Sequence, residues 1–426
     1  MRGLKRIGKT IVVRVLGWQL RRLRARHRFR TVGVVGSYGK TSTKFALATV
    51  LGKDFRVRFQ AGNYNDLVTV PLVFFGEPAP RLLNPLAWIA LFLRNERQIR
   101  QPYPYQIVIV ELGTDGPGQI AMFGAYLSLD FLVVTSIAHE HMEFFADLQA
   151  VADEELAAAA YSKQIIYNAD LCATPYVASL TKPVASFGYH QADYKLSNVV
   201  YGDGLYTFRI LHDGKSVLEA SYTGTAKAQL YSACVATIIG RYLGMSTAKI
   251  TQGIAAMTAV KGRMQTLKGI RGSTILDETY NASPSATIAA LDVLYDLPAP
   301  QKIALLGNMN ELGSYAEAAH REVGAYCDPR QLDLVITLGP DANAHLAPAA
   351  SARGCRVLTC TTPYEAGEYL RQHLQAGAII LAKGSQNQVF AEEAIKMILA
   401  DPADIAHLVR QSPAWRKKKA ASFKTA

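Results

Sequence analysis

A glycine-rich turn between an apolar strand and a helix limits the possible folds of this chain more than any other feature. The run Gly36–Ser42, with the sequence GSYGKTS, follows the β-branched run Thr31–Val35 and precedes a helical pattern that starts near Thr43. Such a turn directs backbone N–H groups and a helix N-terminus at one point, where phosphate oxygens bind. It predicts an α/β fold with a nucleotide site after the first strand, with Lys40 on the β- and γ-phosphates and Thr41 on Mg²⁺.

The alternative is an ordinary turn between a strand and a helix. Val34 stands where the strict phosphate-binding pattern has its first glycine, so the match is incomplete. The turn alone therefore leaves both interpretations open.

Short apolar runs that alternate with helical stretches continue along the chain and predict parallel sheets. One series comprises residues 31–35, 106–111, 131–135 and 164–167, and a second comprises 273–276, 302–306, 334–338 and 378–381. Between them, residues 189–221 alternate in polarity around Asp203-Gly204 and Asp213-Gly214, which predicts an antiparallel insertion or edge. We expect a basic amphipathic arm (1–30), a central ATP-binding domain with a mostly parallel sheet (31–264), a Rossmann-like α/β C-terminal domain (265–400) and a solvated basic tail (401–426).

The net charge of +12 is concentrated at the N-terminus, since residues 1–30 contain eleven basic residues and no acidic one. The rest of the chain is close to neutral, so we expect no nucleic-acid partner. Five apolar residues recur at helical spacing within the arm: Leu4, Ile7, Ile11, Val15 and Trp18. This pattern predicts an amphipathic helix that either lies on an anionic membrane surface or packs against the protein body.

The five scattered cysteines lack the paired spacing of a zinc site and indicate a reducing compartment. No apolar run approaches the roughly 20 residues needed to cross a bilayer. The arm also lacks the apolar stretch and cleavage site of a secretory signal. We therefore expect a cytoplasmic protein, either free or peripheral on the inner membrane face.

Further motifs follow the glycine-rich loop in an order that resembles the Mur ligase superfamily, whose relatives include folylpolyglutamate synthetase and cyanophycin synthetase. The loop GSYGKTSTK is similar to the shortened phosphate-binding loop of that family. The other segments are AGNYNDL (61–67) with VPL (70–72), ELG (111–113), TSIAHEHME (135–143), GRM (262–264), DETYNASPS (277–285), LGNMNELG (306–313) and KGS (383–385). Their details are most similar to the branch that adds D-alanyl-D-alanine.

The resemblance implies an ATP- and Mg²⁺-dependent ligase that activates a carboxylate as an acyl phosphate for attack by an amine. The implied catalytic residues are Lys40, Glu111, His141 and Glu155, and the implied metal ligands are Thr41, Glu111, His141 and Glu155. The implied nucleotide contacts are Gly36, Ser37, Tyr38, Gly39, Lys40, Thr41, Ser42, Arg263, Asp277, Tyr280 and Asn281. The implied substrate contacts are Asn63, Asn65, Asn308, Glu311 and Lys383.

Two departures from the family pattern qualify this expectation. Glu155 stands where the family has a lysine, fourteen residues after the metal histidine, that is carbamylated to present a carboxylate. We interpret Glu155 as a built-in replacement for that group, the alternative being a surface acid. The phosphate-binding loop begins at Gly36, and the basic arm stands where the peptidoglycan ligases carry a domain that holds a UDP-sugar. We therefore expect the ligase chemistry to transfer and recognition of a UDP-linked substrate not to.

Three functions remain open from the sequence. The leading hypothesis is a peptide ligase of cell-wall synthesis that acts on peptide or amino-acid substrates and adds D-alanyl-D-alanine to a UDP-N-acetylmuramoyl-tripeptide. The second is an amino-acid or polyglutamate-type ligase that acts on another carrier, such as a lipid-linked one. The third is a membrane-associated ATP-binding protein that ligates nothing.

Overall fold

The computed structural model describes residues 2–181 and 184–423, without the side chains of residues 2–7 and 184. The chain divides into two compact units. The first comprises Met1–Ala138, Asp147–Thr223 and Ala228–Met257, and the second comprises His139–Ala146, Gly224–Lys227 and Thr258–Ala426. No helix among the described residues is long and apolar enough to span a membrane.

The first unit contains nine strands and nine helices among its described residues. The strands are β1 (Arg30–Val35), β2 (Val57–Arg58), β3 (Ile107–Glu111), β4 (Leu129–Val134), β5 (Ser162–Asn168), β6 (Val184–Gly188), β7 (Tyr194–Gly202), β8 (Leu205–His212) and β9 (Lys215–Thr223). The helices are α1 (Arg2–Arg26), α2 (Lys40–Leu51), α3 (Thr69–Phe75), α4 (Pro85–Arg100), α5 (Gln119–Phe123), α6 (Leu148–Leu156), α7 (Thr174–Val177), α8 (Gln229–Tyr242) and α9 (Thr247–Ala255).

The second unit adds six strands and six helices in the part of the chain that is described. The strands are β10 (Gln265–Lys268), β11 (Thr274–Glu278), β12 (Lys302–Gly307), β13 (Leu334–Leu338), β14 (Val357–Cys360) and β15 (Ile379–Lys383). The helices are α10 (Pro284–Asp296), α11 (Ala316–Tyr326), α12 (Ala347–Ala352), α13 (Pro363–His373), α14 (Glu392–Lys396) and α15 (Pro413–Ser422).

One sheet organises the first unit, in the strand order β2-β3-β1-β4-β5-β6-β7-β8-β9. Its pairs from β2 to β7 are parallel. Alternate side chains of one strand enter two different cores: Ile107 and Ile109 of β3 pack in one, and Val108 and Val110 pack in the other. Because both faces are covered, the central strands β1, β3 and β4 are buried along nearly their whole length, which is why the sequence predicted them.

The last three strands of this sheet form an antiparallel edge, as the alternating polarity of residues 189–221 predicted. Both turns have positive φ angles, 51° and 76° at Asp203-Gly204 and 51° and 72° at Asp213-Gly214. These angles suit glycine and the short polar residue before it, and they match the right-handed twist of a hairpin.

The sheet of the second unit runs β10-β11-β15-β12-β13-β14, with only β10 antiparallel to its neighbour among the described pairs. All five residues of β13 and of β15 are buried. The two α/β units confirm the predicted fold class, a mostly parallel sheet in each half of the chain.

The N-terminal helix α1 packs within the first unit through a face that differs from the one predicted. Leu16, Leu20 and Leu23 are fully buried. The predicted stripe contains Ile11 and Trp18, whose side chains are 55% and 48% exposed, and the side chains of Leu4 and Ile7 lie outside the described residues. Ile11 and Trp18 therefore do not attach the helix to the protein body, because α1 is apolar on two sides and tertiary contacts bury the side that carries Leu16, Leu20 and Leu23.

The prediction of a solvated tail after Pro402 is wrong for Lys419, whereas Arg416, Lys417 and Lys418 are exposed as predicted. Helix α15 forms near the C-terminus, and Lys419 is only 2% exposed. Its ammonium lies 2.7 Å from a carboxylate oxygen of both Glu392 and Glu393. A lysine rarely becomes buried unless an acid pairs with it, and here two acids draw the helix onto the second unit.

All five cysteines are buried free thiols. Burial raises the pKa of the Cys172 thiol to about 12 and that of Cys360 to about 11. Each thiol is therefore held in its protonated, poorly nucleophilic form.

Candidate active site

The glycine-rich loop connects β1 to α2 with two glycines at positive φ, 126° at Gly36 and 85° at Gly39. A Cβ atom on Gly36 would lie 2.4 Å from Oγ1 of Thr135, so a larger residue does not fit. Helix α2 begins at Lys40, three residues before the predicted start, and Gly39 caps it without a side-chain hydrogen bond. A helix start without a side-chain cap is a position at which proteins commonly bind anions.

The segment after β4 is hydrogen-bonded to the glycine-rich loop. Ser37 Oγ accepts a hydrogen bond from the Ala138 amide at 2.8 Å, and Ser136 Oγ accepts one from the Tyr38 amide at 2.9 Å. Burial raises the pKa of Tyr38 to about 12, which keeps its phenol neutral. Ser42 lies half-buried in the first turn of α2.

Lys40 and Thr41 stand at the start of α2 with polar atoms grouped around them. The Lys40 ammonium donates hydrogen bonds to the carbonyl oxygens of Gly36 and Ser37, the second at 3.1 Å. Thr41 Oγ1 lies 3.1 and 3.2 Å from the two carboxylate oxygens of Glu111, at the end of β3. The structure thus brings Lys40, Thr41 and Glu111 together with the loop.

Lys44 is a member of this cluster that the sequence analysis did not assign. It lies one helical turn after Lys40, is 2% exposed, and places its ammonium 2.9 Å from Glu111 Oε2. It also donates to the carbonyl of Gly62 at 3.2 Å. A buried pair of this kind needs both partners, because removal of one leaves an uncompensated charge. The available signal was the second lysine four residues after Lys40 in GKTSTK.

Glu155 is a buried residue, so the alternative of a surface acid is wrong. It is 3% exposed on α6, and its Oε2 accepts a hydrogen bond from the Gly36 amide at 2.8 Å. Its carboxylate therefore contacts the first glycine of the phosphate-binding loop. Asp153, two residues earlier on the same helix, is exposed.

Asn63 and Asn65, two of the three asparagines predicted to bind substrate, have different surroundings. Asn65 accepts a backbone hydrogen bond from Gly113 at 2.8 Å, just beyond Glu111 on the strand end. A Cβ atom on Gly113 would lie 2.6 Å from the Asn65 amide nitrogen, so the two segments touch closely. Asn63 is exposed.

His141 belongs to the second unit, where Glu311 orients its ring. The imidazole Nδ1 lies 2.7 Å from Glu311 Oε2, and both residues have positive φ, 55° and 63°. The hydrogen bond from His141 lowers the pKa of Glu311. Ligand histidines commonly donate one ring nitrogen to a carboxylate in this way, which fixes the orientation of the other.

Asp277, at the end of β11, is completely buried. Its Oδ1 accepts hydrogen bonds from Thr279 Oγ1 at 2.6 Å and from the Thr279 amide at 3.1 Å. Its Oδ2 has no hydrogen-bond partner among the described residues. Burial raises the pKa of Asp277 to about 6, against the opposite effect of the Thr279 hydrogen bonds.

Lys383, at the end of β15, lies beside the same segment. Its ammonium donates to the carbonyl oxygen of Asn281 at 3.0 Å and lies 3.5 Å from Glu278. Burial lowers the pKa of Lys383, and the charge of Glu278 opposes that shift. Lys383 thus supports the backbone that carries Asn281.

Arg263 stacks on Tyr280, with its guanidinium carbon 4.1 Å from the ring centroid. The Tyr280 amide donates to the carbonyl of Gly262 at 3.1 Å, which links the GRM segment to the one after β11. Arg410, which the sequence analysis did not assign, donates to the carbonyl oxygens of Tyr280 and Thr279, the first at 3.0 Å. It lies in the segment predicted to be a solvated tail.

Asn308 is 7% exposed and is engaged within the chain. Its amide group donates to Asp341 at 3.2 Å, and its carbonyl accepts from the Ala342 amide at 2.9 Å. These contacts hold the end of β12 to the segment after β13. A role of Asn308 in substrate binding stays a prediction.

Within the described ranges, no three His, Cys, Asp or Glu side chains form a group that could hold a metal. Mg²⁺ commonly takes one or two protein oxygens and completes its shell with phosphate oxygens and water. The oxygens of Thr41 and Glu111, 3.1 Å apart, fit that requirement. The wider set that adds His141 and Glu155 stays a prediction.

Comparison with known proteins agrees with this arrangement. The sequence profile of the Mur ligase middle domain matches residues 34–240, and that of the Mur ligase glutamate ligase domain matches residues 262–386. The chain is 26% identical over 380 residues to UDP-N-acetylmuramoyl-tripeptide–D-alanyl-D-alanine ligase of Bacillus subtilis, covering 88% of this chain and 76% of that protein. The enzyme of the same name from Synechocystis is 27% identical, covering 90% and 77%.

Solved structures show the same fold. The MurF ligase of Thermotoga maritima in complex with ADP superposes with a TM-score of 0.74 at 23% identity, over 90% of this chain and 83% of that one. The folylpolyglutamate synthase of Mycobacterium tuberculosis gives a TM-score of 0.63 at 14% identity, over 94% and 95%.

The fold and the two matched domains define an ATP-dependent ligase that forms an amide bond, with ATP and Mg²⁺ as its cofactors. The chain belongs to the Mur ligase family.

Proposed function

We propose that the protein adds D-alanyl-D-alanine to a UDP-N-acetylmuramoyl-tripeptide in the synthesis of the cell-wall peptide, with the tripeptide rather than the UDP-sugar as the part that its two matched domains recognise. The observation that carries this proposal is the similarity over 88% of the chain to the Bacillus subtilis enzyme of that name. The cluster of Lys40, Thr41, Lys44 and Glu111 supports the ligase chemistry, because it gathers positive charge and oxygen ligands at an uncapped helix start.

The reaction requires a carboxylate to be activated before an amine can attack it. Transfer of the γ-phosphoryl group of ATP to the carboxylate forms an acyl phosphate and releases ADP. The amine then attacks the acyl carbon, the carbon–oxygen bond to phosphate breaks, and inorganic phosphate leaves. Bound Mg²⁺ would neutralise phosphate charge during the transfer, held by Thr41 and Glu111.

The residues of the candidate site have separate roles in this reaction. Lys40 binds the transferring phosphoryl oxygens, and the N–H groups at the start of α2 bind the phosphates. Lys44 holds the Glu111 carboxylate in one position from its buried side. In the other unit, Glu311 fixes the orientation of the His141 ring, which we propose as a ligand of the metal ion.

The first prediction concerns the substrates. Phosphate release from ATP should require both UDP-N-acetylmuramoyl-tripeptide and D-alanyl-D-alanine, and omission of either should reduce it to the background rate. The measurement is phosphate release together with mass-spectrometric detection of the amide product. A screen that includes glutamate, single amino acids and lipid-linked acceptors is the comparison.

Each alternative function has its own result in that screen. Turnover only with another amine or carrier would overturn the proposed substrates and leave a ligase. ATP hydrolysis that no carboxylate or amine stimulates would instead support an ATP-binding protein that ligates nothing.

The second prediction concerns Glu155. Wild-type activity should not respond to bicarbonate, because the Glu155 carboxylate is part of the side chain and needs no CO₂. Glu155→Gln retains an oxygen acceptor for the Gly36 amide and removes the charge, so it should fold normally and lose roughly 10- to 100-fold in turnover. Glu155→Lys should be inactive without bicarbonate and should recover activity when bicarbonate is added.

The matched control is Asp153→Lys, which makes the same change of charge at an exposed position of α6. It should have wild-type turnover at every bicarbonate concentration. Full activity of Glu155→Gln would show that the carboxylate serves only as a backbone acceptor and would end its proposed role.

We further infer that residues 1–30 associate with an anionic membrane surface, at the cytoplasmic face. Their eleven basic residues without an acid support this inference, since each can contribute on the order of 1 kcal/mol near anionic lipid. The exposure of Ile11 and Trp18 also supports it, because neither side chain is needed to attach the helix to the first unit.

A further inference from the structure

Helices α1 and α4 form a pair within the first unit. Val12 and Leu16 of α1 share a small core with Trp88 and Leu91 of α4. Gln19 extends the contact, since its amide donates to the carbonyl of Phe92 at 2.9 Å. The pair is therefore fixed by its buried side, and its opposite side is available for another partner.

That opposite side carries exposed apolar side chains. Six of the twelve large apolar residues that are exposed in the described chain belong to this pair and the turn before α4. They are Ile11 (55% exposed), Trp18 (48%), Leu83 (59%), Leu86 (77%), Ile89 (54%) and Leu93 (61%). Single exposed apolar residues are common, but a cluster of this kind marks an interaction surface.

One ion pair shows that the exposed apolar residues of α1 and those of α4 lie on the same side of the helix pair. Arg22 of α1 binds Glu96 of α4 at 2.6 Å, and its guanidinium lies 4.4 Å from the ring of Trp18. Ile11 and Trp18 precede Arg22 by eleven and four residues, which places the three on one helix face.

Helical spacing also places the exposed apolar residues of α4 on the face of its ion-pair partner. Ile89 and Leu93 precede Glu96 by seven and three residues and share its face. Both apolar rows therefore end at the Arg22–Glu96 pair. They form one surface, here named the α1–α4 surface: Ile11, Trp18, Leu83, Leu86, Ile89 and Leu93.

Basic residues surround the α1–α4 surface. Arg14 follows Ile11 by three positions, and Arg97 and Arg100 follow Leu93 by four and seven, so they lie near the apolar rows. The exposed basic residues of the pair and its flanking turns include Lys9, Arg14, Arg26, Arg81, Arg97 and Arg100. The only two acids among residues 76–100, Glu77 and Glu96, are paired with Arg94 and Arg22.

We propose that the α1–α4 surface is a single docking site for an anionic phospholipid bilayer, with α4 contributing as much as the basic arm. An apolar centre with a cationic border matches acyl chains beneath negatively charged headgroups. Trp18, stacked against Arg22, suits the boundary between the two, where an aromatic ring keeps a polar edge in contact with water. The proposal deepens the membrane association proposed for residues 1–30 and rests on it, and it does not depend on which substrates the ligase uses.

Co-sedimentation of the full chain with vesicles tests this proposal. Wild type should bind vesicles that contain phosphatidylglycerol, should bind phosphatidylcholine vesicles much less, and should be released by salt. The variant Leu86→Gln/Ile89→Gln/Leu93→Gln should bind the anionic vesicles roughly 100-fold more weakly, since it loses three insertable side chains. Its thermal stability and its ATP turnover in solution should equal those of wild type.

The matched control is Met122→Gln/Val200→Gln, which removes exposed apolar side chains outside the α1–α4 surface. It should bind as wild type does. If wild type binds neither vesicle, the membrane association and this proposal fall together.

If wild type binds and the α4 variant binds equally well, the association through residues 1–30 stands and the role of α4 is overturned. Loss of a dimer in the α4 variant, without vesicle binding by wild type, would identify a second copy of the chain as the partner and also overturn the proposal.

Discussion

Lys40→Ala should lower kcat for ligation by at least about 10²–10³-fold, because the loss of one preorganised charge at a transferring group costs that much. Lys40 is the first residue of α2, and its ammonium lies over the carbonyl oxygens of Gly36 and Ser37. Lys40 is only half-buried at the start of α2, so the fold should survive the change. Steady-state phosphate release and thermal unfolding measure the two effects separately.

The matched control for that variant is Lys53→Ala, which removes an exposed lysine just after the other end of α2. It should retain wild-type kcat and KM. A Lys40→Ala variant with wild-type turnover would show that this loop does not bind the transferring phosphate.

Arg410→Ala should lower the free energy of unfolding by about 3–5 kcal/mol, the cost of breaking a buried ion pair from one side. The side chain of Arg410 is 5% exposed and binds the completely buried Glu392 through two contacts of 2.6 and 2.8 Å. Lys419 remains near Glu392 in this variant, yet it cannot replace the two parallel hydrogen bonds of a guanidinium. Chemical denaturation measures the loss.

The same variant should also reduce kcat/KM, because Arg410 holds the carbonyl oxygens of Thr279 and Tyr280. The control is Arg321→Ala, which breaks an exposed pair with Glu317 and should change stability by less than about 1 kcal/mol. A loss for Arg410→Ala as small as that of the control would mean that the buried pair contributes little to folding.

The sequence predicted the central strands of the two sheets because those strands are buried on both faces, and it missed the short strands β2, β6, β10 and β14. A run such as Leu334–Leu338 is apolar along its whole length, and its predicted bounds are those of β13. The edge strands β7 to β9 were predictable for another reason, since Asp-Gly turns and alternating polarity are local features. Each of these signals lies within a few neighbouring residues.

The wrong predictions, for the buried face of α1 and for Lys419 in the tail, share one cause. In both, the local sequence allows two arrangements, and contacts with residues distant in sequence select one of them. Helix α1 is apolar on two sides, and the contacts of Leu16 and Leu20 select the side that is buried. Lys419 belongs to a basic run that is typical of solvated tails. It is buried because two acids distant in sequence, Glu392 and Glu393, lie beside it.

In the candidate site too, features of the local sequence were predictable and contacts between distant residues were not. The glycine-rich loop was predictable from its spacing. The burial of Lys44 and Arg410 was not, although Lys44 follows Lys40 by four residues, because a basic residue on a helix or in a tail usually indicates a solvated surface. Glu111, the partner of Lys44, is remote from it in sequence, and Glu392, the partner of Arg410, belongs to no motif. For Glu155, position predicted a carboxylate in place of lysine, and the structure adds the contact with Gly36.

The burial of all five thiols makes the protein well suited to site-specific labelling. Maleimide dyes react with exposed thiolates, and the native cysteines supply neither exposure nor an accessible charged form. Ser216, on the exposed start of the last hairpin strand, differs from cysteine by one atom. A Ser216→Cys variant would therefore take up a single fluorophore without removal of any native cysteine, and the same labelled protein could report unfolding and vesicle binding.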